Sequence, residues 1–204
     1  MKVTFRELTA LYLNEVRRRQ PHGPYNLGGW SAGGICAYDA AQQLQAAGET
    51  VDRLLLLDSP FPIGLQKLPP RLYEFFNTLN LFGEGGKPPP EWLLPHFLAF
   101  IDVLDTYKGV VPFVSGKAPK THVVWACDGV CPEGTPRPDP RDDDPREMKW
   151  LINDRKDLGP SGWDRLCGGG DNVRIEVLRG ANHFTMMQGQ HAKRLGEFIR
   201  RSLE

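Results

Sequence analysis

Gly29-Trp30-Ser31-Ala32-Gly33 is a G-x-S-x-G pentapeptide in a chain of 204 residues. This pattern is typical of a sharp turn between a strand and a helix, which lifts a serine hydroxyl clear of a sheet. We expect the first and last glycines to be required, because a Cβ there would collide with the neighbouring strand or helix. The pentapeptide alone is only moderately specific, so the flanking sequence decides whether Ser31 is a nucleophile.

The flanking sequence supplies the strand and the helix that the turn needs. Tyr25-Asn26-Leu27 predicts a short strand before it. After it, apolar residues recur at helical spacing over 32–47, and Gly48 is a natural helix stop. Strand, G-x-S-x-G and helix in this order predict the nucleophile elbow of the α/β-hydrolase fold. The alternative is a buried structural serine in a glycine turn.

Composition and charge argue against several functions. Basic and acidic residues number 25 each and the basic ones are scattered, so neither nucleic acid nor a membrane is an expected partner. The segment 1–7 contains charged residues where a secretory signal peptide needs an apolar run. No stretch of the sequence is long and apolar enough for a membrane-spanning helix. The cysteines lack zinc-site spacing, which predicts no metal and free thiols in a reducing, cytoplasmic compartment. These cysteines are Cys36, Cys127, Cys131 and Cys167.

The remaining segments predict an α/β fold with a mostly parallel sheet. Thr4 and Glu7 form a capping-box pattern that begins a helix ending at 17–19, and a final helix is expected over 188–202. Strands that alternate with helices indicate a parallel sheet in one domain, 1–204. The three further strands are predicted at 51–57, 120–126 and 173–178.

The segment 61–116 differs from the rest and predicts a helical lid. Proline and glycine loops, at 69–70 and 83–90, alternate with apolar helical stretches at 72–82 and 92–107. The second stretch is apolar on two faces, so it is either deeply buried or faces a cavity.

A serine nucleophile needs a base, and the base needs an orienting acid. In α/β-hydrolases these follow in the order Ser, acid, His, each after a strand. His183 is the best candidate base because it follows a strand in a Gly-Ala-Asn-His loop. Two acids fit the order: Asp58, in a sharply punctuated turn, and Asp128, at the start of a long loop. We favour Asp58, and we expect the amide of Ala32 to stabilise the oxyanion.

Several motifs together resemble the C-terminal thioesterase/Claisen-cyclase domain of fungal non-reducing iterative polyketide synthases. The resemblance covers essentially the whole chain and is far more specific than the elbow alone. It places the acid after the strand that follows the elbow. The motifs are the run 23–34, Leu56-Leu57-Asp58-Ser59-Pro60, Trp150-Leu151-Ile152-Asn153-Asp154-Arg155, Gly162-Trp163-Asp164 and Asn182-His183-Phe184-Thr185-Met186-Met187.

The resemblance implies a chemistry and partners. Ser31 would take a polyketide chain from the phosphopantetheine arm of an acyl carrier protein, with His183 as base and Asp58 holding the imidazole. Release would follow by Claisen cyclisation or by hydrolysis, and an apolar lid would favour cyclisation. The domain would need no cofactor of its own, and its partners would be the carrier protein and the rest of the synthase.

The sequence departs from a complete α/β-hydrolase before the elbow. Only one helix precedes the elbow in this chain. A complete α/β-hydrolase has several strands there, and a loop among them supplies a second hydrogen-bond donor to the oxyanion. We therefore expect a domain that lacks its N-terminal strands. Two alternatives stay open: a stand-alone editing thioesterase, which a shallow pocket would favour, and a catalytically incompetent fragment, which failure of Ser31, Asp58 and His183 to converge would favour.

Overall fold

A parallel sheet of four strands organises the protein, for which a computed structural model describes residues 3–83 and 88–204. The strand order follows the chain, and every neighbouring pair is parallel. The α/β class is therefore confirmed, and no strand precedes the first one within the described residues. The strands are β1 (Tyr25–Trp30), β2 (Val51–Leu57), β3 (Lys120–Ala126) and β4 (Val173–Leu178).

Helices fill the connections between the strands. The predicted capping box is present at the start of the first helix, where Thr4 Oγ1 accepts from the Glu7 amide and Glu7 Oε2 accepts from the Thr4 amide at 2.7 Å. The helices are α1 (Phe5–Arg19), α2 (Ala32–Ala46), α3 (Pro70–Thr78), α4 (Leu93–Leu104), α5 (Arg146–Ile152), α6 (Trp163–Leu166) and α7 (Gly189–Leu203).

The sheet is covered on both faces, as the apolar run of β2 predicts. Leu54 and Leu56 are fully buried in the larger core cluster, together with Ile35 of α2. Leu57 belongs to a separate cluster that includes Leu195 of α7. Because successive strand residues point to opposite faces, β2 contributes to both clusters.

Two helices of the segment 61–116 end earlier than the sequence indicates. The helix predicted over 72–82 is observed at Pro70–Thr78. It begins earlier because a proline suits the first helical turn. It ends earlier because Asn80 has a left-handed φ of +52°. The stretch 92–107 is shortened to Leu93–Leu104. Residues 1–2 of the N-terminal prediction and 84–87 of the predicted loop lie outside the described residues.

Neither membrane spans nor disulfides occur in the described part of the chain. No helix among these residues is long and apolar enough to cross a bilayer. The four cysteine thiols are free, so Cys127 and Cys131 do not form a disulfide.

Candidate active site

Ser31 occupies a strained turn between β1 and α2. Its backbone has φ +56° and ψ −132°, a combination that a residue with a side chain rarely adopts. Its amide donates to the carbonyl of Leu57 at 2.8 Å, which fixes the turn against the neighbouring strand. Ala32 is the first residue of α2, and an amide at this position has no acceptor within the helix.

The glycines around the turn only partly match the sequence prediction. A Cβ on Gly29 would lie 2.1 Å from the backbone of Gly33, so the requirement for Gly29 is confirmed. The prediction that position 33 requires a glycine is wrong, because a Cβ on Gly33 would have no atom within 4 Å. The neighbouring Gly34 makes the close approach instead, since its Cβ would lie 2.4 Å from Ser59 Oγ.

Asp58 lies at the end of β2 and is completely buried. Its Oδ1 accepts from the Ala126 amide at 2.9 Å, and its Oδ2 accepts from Arg155 Nη2 at 2.6 Å. Oδ2 also lies 2.7 Å from Nδ1 of His183. Burial acts to raise the pKa of the Asp58 carboxyl, but the hydrogen bonds from Arg155 and His183 outweigh it and hold the pKa below its usual value.

His183 lies in the loop after β4, and several contacts hold the loop and the ring. The Asn182 side-chain oxygen accepts from the amides of Phe184 and Thr185, both at 3.0 Å, which closes the loop on itself. The indole Nε1 of Trp30 donates to the His183 carbonyl at 3.0 Å, and the two rings lie 4.9 Å apart. The imidazole is thus fixed by the elbow strand on one side and by Asp58 on another.

The three predicted side chains lie in one region of the structure, and a hydrogen bond joins two of them, Asp58 and His183. The imidazole of His183 is bonded to Asp58 and not to the alternative acid, Asp128. Ser31 and His183 line the same cavity. Within the described residues no hydrogen bond joins the Ser31 hydroxyl to the imidazole. Such bonds are often long in unliganded enzymes and shorten when substrate binds.

Arg155 is a further residue of the site, which the sequence analysis named only as part of a motif and to which it assigned no role. Its guanidinium binds both carboxylate oxygens of Asp58, and the side chain is only 3% exposed. The guanidinium also stacks on Trp150, 3.7 Å from the ring centroid, and Trp150 in turn contacts the His183 ring. No local sequence pattern indicates that Arg155 binds Asp58, because 97 residues separate the two.

A large and mostly apolar cavity opens beside Ser31. Its volume is about 1090 Å³, and its walls come from the elbow, the loop after β2, α3, α4 and α5. Among the described residues, no group of three or more His, Cys, Asp or Glu side chains is placed to hold a metal ion. The apolar side chains of the wall include Leu94, Phe97, Phe100, Ile101, Trp150 and Phe184.

Comparison with known proteins agrees with this geometry. The family model described as thioesterase domain matches residues 3–203. The chain belongs to the thioesterase domain family. The NocB thioesterase domain, solved as a covalent complex with a fluorophosphonate nocardicin G analog, has a TM-score of 0.65 at 22% identity, over 98% of this chain and 75% of that one. RedJ thioesterase of Streptomyces coelicolor has a TM-score of 0.64 at 18% identity, over 98% of this chain and 70% of that one. These similarities confirm the fold.

Curated relatives of this thioesterase domain are fungal polyketide synthases. It is 63% identical to the conidial pigment polyketide synthase alb1 of Aspergillus fumigatus over 95% of the chain, and 62% identical to the conidial yellow pigment synthase melA of Penicillium expansum over its whole length. A non-reducing polyketide synthase of Byssochlamys spectabilis is 61% identical. The chain spans about 10% of the length of each. The resemblance to these synthases is confirmed.

Proposed function

We propose that this thioesterase domain releases a polyketide from an acyl carrier protein through an ester on Ser31. The observation that carries the proposal is one cavity of about 1090 Å³, lined both by a serine on a strained elbow and by a histidine that a buried aspartate holds. The polyketide synthases among its relatives support the substrate class. The partners are the carrier protein, whose phosphopantetheine arm delivers the thioester, and the other domains of a synthase.

In the acylation step, His183 removes the proton from the Ser31 hydroxyl as the oxygen attacks the thioester carbonyl. The carbonyl electron pair moves to the oxygen, which accepts a hydrogen bond from the Ala32 amide. Collapse of the tetrahedral intermediate breaks the C–S bond, and the thiol leaves with the proton from the imidazolium. Asp58 accepts from Nδ1–H throughout, so it fixes the tautomer and stabilises the positive ring.

In the release step, His183 removes a proton from a carbon of the bound chain or from a water molecule as it attacks the carbonyl carbon of the seryl ester. The C–O bond to Ser31 then breaks, and Ser31 Oγ takes the proton back from the imidazolium. We infer that the segment 61–116 is a lid over this reaction, because α3 and α4 supply much of the cavity wall. Apolar side chains on the lid exclude water, which favours ring closure by the carbon nucleophile over hydrolysis.

The size of the cavity favours this function over a stand-alone editing thioesterase, for which a shallow pocket suffices. Two observations count against a catalytically incompetent fragment: the bond between Asp58 and His183, and the cavity that Ser31 and His183 share. The Ser31 hydroxyl itself makes no hydrogen bond to the imidazole within the described residues. We further propose that the domain works in the cytoplasm, where its four free thiols stay reduced.

A fluorophosphonate probe tests the proposal, with intact-protein mass as the readout. We expect one adduct on the wild-type chain and none on Ser31→Ala. An acyl group transferred from a loaded carrier protein should appear on the same serine. A folded protein that takes up neither group refutes the proposed function.

A further inference from the structure

Three aromatic rings surround the imidazole of His183. Their centroids lie 4.9 Å (Trp30), 5.2 Å (Phe184) and 5.7 Å (Trp150) from the centroid of the imidazole. His183 itself is 5% exposed, so water contributes little to its surroundings. The imidazole becomes a cation when it takes the proton of Ser31, and a buried cation needs groups that stabilise it.

The orientation of the rings distinguishes Trp30 from the other two. The planes of Trp30 and the imidazole are 30° apart, whereas the angle is 65° for Trp150 and 86° for Phe184. The face of an aromatic ring attracts a cation, and its edge does not. At 30° and 4.9 Å, the face of the Trp30 indole is turned towards the imidazole. Trp30 is therefore the ring best oriented to stabilise the imidazolium.

Another cation already lies over Trp150. The Arg155 guanidinium is 3.7 Å from the centroid of that ring. Two cations that share one ring repel each other, so Trp150 contributes less to stabilising a charge on the imidazole. Among the described residues, no contact between a guanidinium or ammonium group and a ring involves Trp30. The face of Trp30 is thus available to the imidazolium.

Trp30 also connects the base to the nucleophile. It directly precedes Ser31, whose amide donates to the carbonyl of Leu57 at 2.8 Å. Its indole Nε1 donates to the carbonyl of His183 at 3.0 Å, across 153 residues of sequence. One side chain therefore contacts both the ring and the backbone of the base, from a turn that the sheet holds in place.

We propose that Trp30 is a positioning residue for the catalytic base, a statement that rests on the proposed function. Its ring face stabilises the imidazolium that forms when His183 takes the Ser31 proton, and its N–H fixes the loop of His183. Reaction with a fluorophosphonate forms the same imidazolium. The bond from Ser31 Oγ to phosphorus forms, the P–F bond breaks, fluoride leaves and the serine proton moves to Nε2 of His183. The labelling rate therefore measures this stabilisation without an acyl substrate.

Fluorinated tryptophans placed at position 30 by nonsense suppression test the role of the ring face. Increasing numbers of fluorine atoms withdraw electron density from the face while nearly keeping the shape of the ring. They also make the indole N–H a stronger donor, so the two contacts of Trp30 respond in opposite directions. We expect the labelling rate to fall with each added fluorine, by about 2- to 30-fold in the most fluorinated variant.

Trp163 is the matched control. Its Nε1 also donates to a single carbonyl, that of Ser59 at 3.1 Å, and its ring packs against the uncharged rings of Tyr38 and Phe61. The same fluorination at position 163 should leave labelling unchanged. Trp30→Phe, which keeps a ring face, should label faster than Trp30→Leu, which has none. A labelling rate that stays constant or rises with fluorination at position 30 overturns the proposal.

NMR titration of isotope-labelled histidine in the Ser31→Ala protein separates this inference from the proposed function. The charged side chains near the ring are the same in every variant: Asp58 at Nδ1, Arg155 beside Asp58, and Glu147 on the helix of Trp150. We expect fluorination at position 30 to lower the pH midpoint of the His183 signal by about 0.3–1.5 pH units, because the cation loses its stabilising face.

The two measurements fail in different ways. A midpoint that falls in a protein whose Ser31 takes up neither probe nor acyl group supports the role of Trp30 and refutes the proposed catalysis. Labelled Ser31, with a rate and a midpoint that fluorination leaves unchanged, refutes the role of Trp30 and leaves polyketide release standing.

Discussion

Replacing Arg155 by methionine removes the cation from a buried ion pair while keeping an apolar stem against Trp150. The Arg155 side chain is 3% exposed and that of Asp58 is 0% exposed, so water cannot replace the lost partner. Breaking a buried pair from one side costs about 3–5 kcal/mol. Because domains of this kind are stable by about 5–15 kcal/mol, the expected loss is a large part of the free energy of unfolding.

The loss of unfolding free energy in Arg155→Met depends on pH, and the pKa of Asp58 determines the direction of this dependence. In the wild type this pKa is lowered, so the contribution to stability is complete above about pH 4 and is lost as the pH falls through the folded value. In Arg155→Met burial dominates and the pKa rises above its ordinary value. The stability deficit is then largest near pH 7, and it shrinks as the pH falls towards about 4, because protonation removes the unpaired charge.

Urea unfolding at several pH values measures the deficit, and the rate of fluorophosphonate labelling reports on the site. We expect labelling of Arg155→Met to fall more steeply in acid than that of the wild type, since a protonated Asp58 no longer stabilises the imidazolium. Arg155→Lys, which keeps the charge but not the two-point contact, provides a milder variant if the methionine protein does not fold.

Arg18→Met is the matched control for this experiment. Arg18 also binds both oxygens of a carboxylate, that of Glu15, but it does so at the surface with 68% of its side chain exposed. Exposed ion pairs contribute little, so we expect no resolvable change in unfolding. A deficit below about 1 kcal/mol in Arg155→Met, independent of pH, would refute the reasoning, because a buried pair cannot then be the cause.

Three further predictions concern the elbow and the acid. Asp58→Asn should lower the rate of Ser31 labelling by about 10⁴-fold, as expected when the base loses its correct tautomer, and a loss below about tenfold would argue against this acid. Gly34→Ala should lower the free energy of unfolding by about 1–3 kcal/mol in thermal unfolding, because its Cβ would lie 2.4 Å from Ser59 Oγ. Gly33→Ala should leave stability almost unchanged, because its Cβ has no neighbour within 4 Å, and equal losses in the two glycine variants would contradict the packing argument.

The strands were the most predictable part of the fold. The segments 51–57, 120–126 and 173–178 match β2, β3 and β4 residue for residue. Each combines leucine, β-branched or aromatic residues with polar or turn residues at its boundaries. β1 is longer than the predicted 25–27, since it continues through Gly28 and Gly29 to Trp30. Glycine is a poor strand former by propensity, and only pairing with β2 holds this part of the chain extended.

The candidate site was predictable only where chain order carries information. The order of serine, acid and histidine, with each residue following a strand, led to Ser31, Asp58 and His183. The turn after β2 favoured Asp58 over Asp128, and in the structure it is Asp58 that bonds the imidazole, while its role as catalytic acid stays a prediction. Arg155 could not be predicted in the same way, because its place in the site depends on a contact between segments that are distant in sequence.

The hydrogen bond from Trp30 to the His183 carbonyl has a spectroscopic consequence. Two other indole groups also donate to single carbonyls, Trp125 to Gly159 and Trp163 to Ser59. Indole N–H protons give resolved signals in proton NMR, so each of these signals reports on the loop whose carbonyl the indole binds. The Trp30 signal follows the loop that carries His183, and a ligand that reorders this loop becomes visible without any label.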